Sequence, residues 1–381
     1  MTGKEKIRAA FSEKGTAQFP VVICYEGIFI RDHWENLTEL PWYVVHLPDI
    51  ESQIKWNEDV ITKINQDWFV VYPFYSRSQR KNIEVKIFDD RIIIRDKKQN
   101  TEKQFSKPVT SGWSVSKVVQ SVKREKLPET IDELEKLLPE RPGKFNRDDF
   151  VGQGHGDLAC ALIEKFPDKM PFSHVSSPLW RMYGILGFEG LMTTIVTHPE
   201  LIDYGCERFL EIATVSVQQY IACGAQLIWI EECMTDMIGP AAFERFNLPY
   251  LKKLVSAIRD AGGKSIYYYC GNPWDRMDKI LQVGADALSF EESKKNFQID
   301  IEKVVSIVDG RCVVFGNLDA IYLLPHADEK QLVQEIERQL TAGVKNKRKF
   351  VMSLGSPVTP DTPVERVRLY CEVSREIGGK I

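Results

Sequence analysis

The chain has 381 residues, a length that fits one large domain or two medium ones, and 43% of its residues are hydrophobic. Together with 27% charged residues, this composition predicts a folded protein with a sizeable core. The 50 Lys and Arg against 54 Asp and Glu leave a net charge of −4, which argues against a dedicated nucleic-acid or anionic-membrane binder. No apolar run approaches the roughly 18 residues of a membrane span, and no apolar signal region opens the chain. Eight cysteines without a CxxC pair favour reduced thiols, so we expect a cytoplasmic protein.

The first 150 residues contain mixed elements. A short amphipathic helix is predicted over 3–15, and an apolar, β-branched run predicts a buried strand over 19–25. Residues 83–106 alternate β-rich runs with polar turns, which is typical of an antiparallel hairpin or meander. The polar, Pro-bearing stretch 123–149 is the best candidate for a linker.

After residue 150, predicted strands and helices alternate regularly. Thr197 and Thr362 each precede Pro and then Glu, so both are predicted to be N-caps, the first of a helix through about Cys223 and the second of the last helix. The predicted strands are 170–174, 226–230, 265–269, 285–290, 312–315 and 350–354.

This alternation indicates parallel βα units. A doubly wound sheet is also compatible with it, but no GxGxxG or GxxxxGK loop follows a predicted strand. The sequence therefore favours a closed (β/α)8 TIM barrel with an inserted antiparallel hairpin. In this interpretation, residues 1–150 form its N-terminal part and 151–381 its main βα repeats.

The residues just beyond each strand are expected to converge at one end of the barrel. They are Glu26, His174, Glu231, Glu232, Cys233, Cys270, Glu291, Glu292, Asn317, Asp319 and Ser356. Three of these turns are acidic and two contain Cys. A metal or a cationic or electron-poor ligand therefore fits this end better than a phosphate does.

Each candidate also has a structural interpretation. Cys270 could be a small buried residue, His174 a satisfied core histidine, and the segment Asn317–Asp319 a capped turn. Trp180 and the other aromatic residues could belong to the core or line an apolar pocket. Glu231 and Glu232 follow an apolar strand directly, so buried carboxylates there need partners. The residues alone indicate a barrel enzyme with an acidic end that could bind a metal.

Several motifs occur in a characteristic order. They include Gly187–Gly190, Cys270-Gly271-Asn272, Gly316–Asp319 and Gly355-Ser356-Pro357. As an ordered set over about residues 180–381, they resemble the uroporphyrinogen decarboxylase superfamily, which includes zinc- and corrinoid-dependent methyltransferases. The hairpin at 83–106 is similar to the insertion in methyltransferases of anaerobic demethylation systems.

Departures from the family pattern suggest which branch is nearest. Where true decarboxylases carry an Arg-rich MRQAGR loop, this chain has Cys24-Tyr25-Glu26, and Glu26 would repel a polycarboxylate substrate. The family's HxC zinc motif is replaced by Tyr268-Tyr269-Cys270, and its distant Cys by Ser356, so one zinc ligand of three remains. Another zinc site built around Cys270 stays open.

The resemblance implies a methyltransferase that takes a methyl group from a small, methoxylated aromatic donor. The acceptor would be the Co(I) corrinoid of a separate protein, with zinc as a further candidate cofactor and a homodimer as a candidate assembly. Candidate catalytic residues are Glu231, Glu232, Asp319 and Glu26; candidate substrate-binding residues are His174, Trp180, Tyr268, Asn317 and Glu292; candidate metal ligands are Cys270, Glu231 and Cys233. The alternatives are a decarboxylase of a small acid and an inactive barrel that acts as a binding protein.

Overall fold

The computed structural model describes residues 1–111, 126–233, 235–293 and 297–381. Residues 123–125 of the predicted linker lie outside this part of the chain. The strands of the described residues are β1 (Trp68–Val70), β2 (Ile83–Ile87), β3 (Arg91–Asp96), β4 (Thr101–Ser106), β5 (Met170–Ser176), β6 (Leu227–Glu231), β7 (Lys264–Tyr269), β8 (Ala287–Phe290), β9 (Val313–Phe315) and β10 (Phe350–Val351).

Helices surround these strands. In the same part of the chain they are α1 (Gly3–Ala10), α2 (Glu26–Asp32), α3 (Trp34–Leu37), α4 (Ile50–Ile64), α5 (Arg77–Asn82), α6 (Ile131–Glu135), α7 (Arg147–Gly152), α8 (Asp157–Lys165), α9 (Pro178–Thr197), α10 (Pro199–Ala222), α11 (Pro240–Phe246), α12 (Leu248–Asp260), α13 (Met277–Gln282), α14 (Ile301–Val308), α15 (Leu323–His326), α16 (Glu329–Lys345) and α17 (Val364–Gly378). Short 3-10 helices cover Trp42–His46 and Thr235–Met237. None of the described helices is long and apolar enough to cross a membrane.

Seven strands form one curled parallel sheet in the order β1-β5-β6-β7-β8-β9-β10. Most of their residues are buried, because helices cover the outer face and large side chains fill the inner one. The α/β class and the parallel sheet predicted from the alternation are confirmed. Within the described residues this parallel sheet has seven assigned strands, so the eight-stranded barrel of the prediction is not established.

The segment predicted as the first strand, 19–25, is buried and extended but forms a single bridge, between Val21 and Met352. The amide of Val22 donates to the carbonyl of Met352 at 2.9 Å. On the other side the Asp67 carboxylate accepts the amide of Val21 at 2.8 Å. A side chain thus takes an amide that a regular strand ladder would use, which explains why no strand forms here.

Aromatic rings fill the inner face of the curled sheet. The rings of Trp68 and Phe172 stack with their centroids 3.9 Å apart. Phe315 lies 5.8 Å from both Trp68 and Trp229. This layer of rings fills the inner face of the curled sheet.

The meander predicted at 83–106 is confirmed. Strands β2, β3 and β4 pair antiparallel in a separate three-stranded sheet. Ile92 and Ile94 on the central strand are buried on one face, while both outer strands are largely exposed.

Two predicted helix caps are wrong. The hydroxyl of Thr197 donates to the carbonyl of Thr193 inside α9, and the N-cap of α10 is His198. Thr362 bonds the hydroxyl of Thr359, and the N-cap of the last helix is Pro363. In both places the threonine hydroxyl bonds a group on its N-terminal side instead of accepting an amide of the helix that follows.

Candidate functional site

Three predicted residues meet at the carboxyl edge of the sheet: Glu26, His174 and Glu231, here called the acid–histidine cluster. His174 Nδ1 lies 3.2 Å from Glu231 Oε1, and His174 Nε2 lies 3.7 Å from Glu26 Oε1. The β5–β6 register aligns His174 with Trp229, so Glu231 lies two residues further along the same face. Tyr25 adopts the left-handed conformation (φ 50°, ψ 42°), which turns the chain sharply into α2 and brings Glu26 over the sheet.

The pKa of His174 is raised in this cluster. Burial lowers the pKa of His174, but the two neighbouring carboxylates outweigh burial and raise this pKa to about 9. Burial opposes ionisation of Glu231, yet its contact with His174 brings the pKa of the Glu231 carboxyl below its usual value. At neutral pH His174 is therefore an imidazolium held beside the Glu231 carboxylate.

Aromatic side chains surround the imidazole. The Tyr25 ring stacks against the His174 ring with 6.0 Å between centroids, and it packs edge-to-face with the Tyr268 ring, whose centroid is 5.2 Å from its own. The Tyr268 hydroxyl donates to the carbonyl of Gly355 at 2.9 Å, so Tyr268 is fixed from the opposite side of the sheet. The Glu231 side chain, 27% exposed, is the most accessible member of the cluster.

Glu232 points to the other face of β6 and is completely buried. Its carboxyl group accepts hydrogen bonds from Ser177 Oγ at 2.6 Å, Asn247 Nδ2 at 2.8 Å and the Tyr267 hydroxyl at 3.4 Å. Burial raises the pKa of Glu232 to about 7, although all three hydrogen bonds act in the opposite direction. Glu232 joins β6 to β7, to the start of α9 and to the start of α12.

The residues fit a zinc site poorly. Cys233 and Cys270 are adjacent and buried, and a hydrogen bond with Cys270, followed by burial, raises the pKa of Cys233 well above its usual value. Among residues 1–111, 126–233, 235–293 and 297–381, no group of three or more His, Cys, Asp or Glu side chains is arranged to hold a metal ion. The ligand set predicted from Cys270, Glu231 and Cys233 thus lacks a supporting geometry, and we derive no step through zinc.

Three further predicted residues contact the loops around them. Asn317 Nδ2 donates to the carbonyls of Glu291 and Ile299 at 3.0 and 2.8 Å. The hydroxyl of Ser356 donates to Glu292 at 2.8 Å.

The Asp319 carboxylate has a similar local role. It accepts the amides of Ile321 and Tyr322 at 2.7 and 2.8 Å. The geometry described for Asn317, Glu292 and Asp319 is that of loop-forming side chains. Their predicted catalytic and binding roles stay predictions.

Trp180 borders a small apolar pocket that Glu232 and Cys233 also line. Its ring stacks on Tyr183 with centroids 4.7 Å apart. A break in α9 at Gly187 (φ 71°, ψ 177°), a conformation open to glycine, lets both halves of the helix line the pocket. The lining residues are Leu179, Trp180, Tyr183, Phe188, Leu191, Met192, Glu232, Cys233, Thr235 and Ile238. Its free volume of about 20 Å³ holds about one water molecule, so a ligand must displace side chains to enter.

Sequence reasoning missed the partners that fix these groups. The left-handed turn at Tyr25 and the hydrogen bonds of Ser177, Asn247 and Tyr267 to Glu232 were not anticipated. Ser177-Pro178 after a predicted strand is an N-cap pattern, and it was the one available signal for Ser177.

Comparisons with known proteins show which family this chain resembles. The sequence model of the uroporphyrinogen decarboxylase family matches residues 128–377. A uroporphyrinogen decarboxylase from Anaeromyxobacter sp. (strain Fw109-5) is 26% identical over 197 residues, 52% of this chain and 54% of that protein. The methylcobamide:CoM methyltransferase MtbA of Methanosarcina mazei is 24% identical over 210 residues, 54% of this chain and 56% of that protein.

The chain spans about half the length of these curated relatives. A solved structure, a methyltransferase from Methanosarcina mazei, superposes with a TM-score of 0.64 over 99% of both chains at 16% identity. At this identity the match shows a common fold.

Proposed function

Because the chain belongs to the uroporphyrinogen decarboxylase family, we propose that it is a methyltransferase acting on a small methoxylated aromatic donor. The acceptor in this proposal is the corrinoid of a separate protein, which supplies the nucleophilic metal centre that takes the methyl group. Similarity to methylcobamide methyltransferases supports the choice of acceptor.

The observation that carries the proposal is the acid–histidine cluster. When a methyl group leaves an ether oxygen, that oxygen keeps the bonding electron pair and needs a proton. An imidazolium held between two carboxylates at the accessible edge of a sheet is a proton donor suited to that task. A quaternary methylammonium group leaves as a neutral amine and needs no such donor, so the cluster favours an oxygen leaving group over that one.

The acidities match an aromatic ether. A phenol has a pKa of about 10, slightly above the value of about 9 for His174. Transfer of the proton from His174 to a departing phenolate is therefore mildly favourable. In this mechanism Glu26 and Glu231 hold the imidazolium in place and favour its reprotonation after each turnover.

The same cluster disfavours the decarboxylase alternative. A carboxylate substrate needs cationic partners, whereas Glu26 and Glu231 put carboxylates at the approach to His174. The apolar pocket lined by Trp180 and Tyr183 would take an apolar ring once its side chains move apart.

We also propose that the sheet closes into a (β/α)8 barrel with residues 19–24 in the eighth position. Support comes from the hydrogen bonds that this segment makes on its two sides, to Met352 beyond β10 and to Asp67 before β1. Closure would surround the cluster on all sides and leave one approach, along which the corrinoid protein would dock.

The test is methyl transfer from 2-methoxyphenol to cob(I)alamin, measured as the loss of cob(I)alamin absorbance. We expect His174→Gln to lower the rate by about 10² to 10⁴-fold, the usual contribution of a general acid. His198→Gln is the matched control, since His198 lies at the partly exposed junction of α9 and α10, and its rate should equal that of the unchanged protein.

Equal rates for His174→Gln and the unchanged protein would refute the role of His174. A protein that transfers no methyl group from methoxylated phenols, yet binds a corrinoid protein, would be the binding protein of the alternative interpretation.

A further inference from the structure

Cys233 and Cys270 lie just beyond the carboxyl ends of two neighbouring strands, two residues after β6 and one residue after β7. Ile230 on β6 pairs with Tyr267 on β7, and each cysteine lies three residues beyond its member of that pair. Adjacent strands are about 4.8 Å apart, and a disulfide requires Cα atoms roughly 4.4–6.8 Å apart. Continued register thus brings the two backbones within the range of a disulfide.

Their side chains also share a face of the sheet. Trp229 and Tyr268 both point inward, since their rings stack with centroids 5.5 Å apart. Cys233 lies four residues after Trp229 and Cys270 two after Tyr268, so strand alternation directs both thiols to that side. Each cysteine is 8% exposed, and the neighbouring Cys270 thiol is the largest cause that raises the pKa of Cys233.

We propose that Cys233 and Cys270 form a modification site, at which a peroxide converts the two thiols to a disulfide. The inference rests on the arrangement of the two strands and holds whether or not the chain transfers methyl groups. Cys233 also lines the apolar pocket beside α9, which gives a molecule as small as hydrogen peroxide a way in.

The chemistry balances with one molecule of peroxide. One sulfur, as thiolate, attacks a peroxide oxygen, which breaks the O–O bond and gives a sulfenic acid and water once a proton is taken up. The second sulfur then attacks the first and displaces its oxygen as water. Two S–H bonds and one O–O bond become one S–S bond and two molecules of water; the sulfurs are oxidised and the peroxide is reduced.

The groups around Cys233 determine the rate of this oxidation. The partner thiol, burial and the nearby carboxylates Glu231 and Glu291 keep Cys233 protonated at neutral pH by raising its pKa. We therefore expect slow oxidation that yields a defined product, because the resolving thiol is already in contact.

The experiment treats the full chain with hydrogen peroxide, denatures it in an alkylating agent and maps the peptides without reduction. We expect alkylatable thiols to fall from eight to six, a peptide pair joined through Cys233 and Cys270, and full recovery with dithiothreitol. In Cys233→Ser this linkage should vanish and Cys270 should instead react with a sulfenic-acid probe. Cys160→Ser, which removes an exposed cysteine, should leave the linkage unchanged.

Two results would overturn the inference. One is a different disulfide, for example between Cys24 and Cys270. The other is full alkylation of Cys233 and Cys270 even after prolonged treatment with excess peroxide. Circular dichroism of Cys233→Ser checks that the loss of the linkage in this variant does not come from unfolding.

Discussion

Replacing Glu232 by Gln should change the pH dependence of stability in a defined direction. The Glu232 carboxyl is fully buried, and its pKa rises from 4.5 to about 7 on folding. Between these values the folded chain keeps a proton that the unfolded chain has lost. Stability from this group is therefore fully present below pH 4.5 and is lost as the pH rises to about 7.

The size of the effect follows from the two pKa values. Each pH unit between them corresponds to about 1.4 kcal/mol of unfolding free energy, which gives about 3 kcal/mol in total. Gln is neutral at every pH, so the variant loses none of this unfolding free energy as the pH rises. It can still accept one of the hydrogen bonds from Ser177 and Asn247, and the imperfect match should cost about 1 kcal/mol.

The order of stability of the two proteins should therefore reverse as the pH rises. At pH 5 Glu232→Gln should be about 0.3 kcal/mol less stable than the unchanged protein, and at pH 8 about 2 kcal/mol more stable. Urea unfolding followed by circular dichroism at pH 5, 6, 7 and 8 measures both. A constant difference at all four pH values would refute the reasoning, because it would mean that Glu232 is ionised in the fold throughout.

Two further changes test the site. Glu231→Gln should lower the pKa of His174 from about 9, since a carboxylate 3.2 Å away is removed; histidine NMR titration measures this, and an unchanged pKa would contradict the cluster. Stability from His174 is present below pH 6.5 and lost toward pH 9, so this variant should also flatten the stability profile in that window. Gly271→Ala should destabilise the protein by about 1–3 kcal/mol in urea unfolding, because Gly271 has φ 111° and a Cβ would lie 2.2 Å from Asp236 Cγ. Gly184→Ala, with open space around a helical glycine, is the control and should not destabilise it.

The parallel strands could be predicted because their residues are buried on both faces. An apolar run such as Leu227–Glu231 carries its own signal, and the helices between strands have capping residues and amphipathic spacing. The segment 19–25 has an equally apolar sequence, yet it forms no ladder, since the Asp67 side chain takes one of its amides. Residue 67 lies far away in the chain, so no local pattern could reveal that contact.

The candidate site, too, could be predicted from the sequence in part. Strand ends predicted which residues gather at one edge, and Glu26, His174 and Glu231 do meet there. Which of two consecutive glutamates faces the edge depends on strand parity, and the strand boundary fixes parity to one residue. The sequence pattern does not fix that boundary, so it predicts a catalytic role for both Glu231 and Glu232.

Parity gives these two glutamates opposite electrostatic behaviour. Glu231 faces inward to a protonated histidine, which brings its pKa below the usual value; Glu232 faces outward into neutral hydrogen-bond donors, and burial raises its pKa to about 7. A carboxyl group is stabilised as an anion by a nearby positive charge far more than by neutral donors in a dry environment. One strand thus supplies an ionised group for the proposed proton transfer and a structural clamp just behind it. A single-residue shift in the register of β6 would remove both.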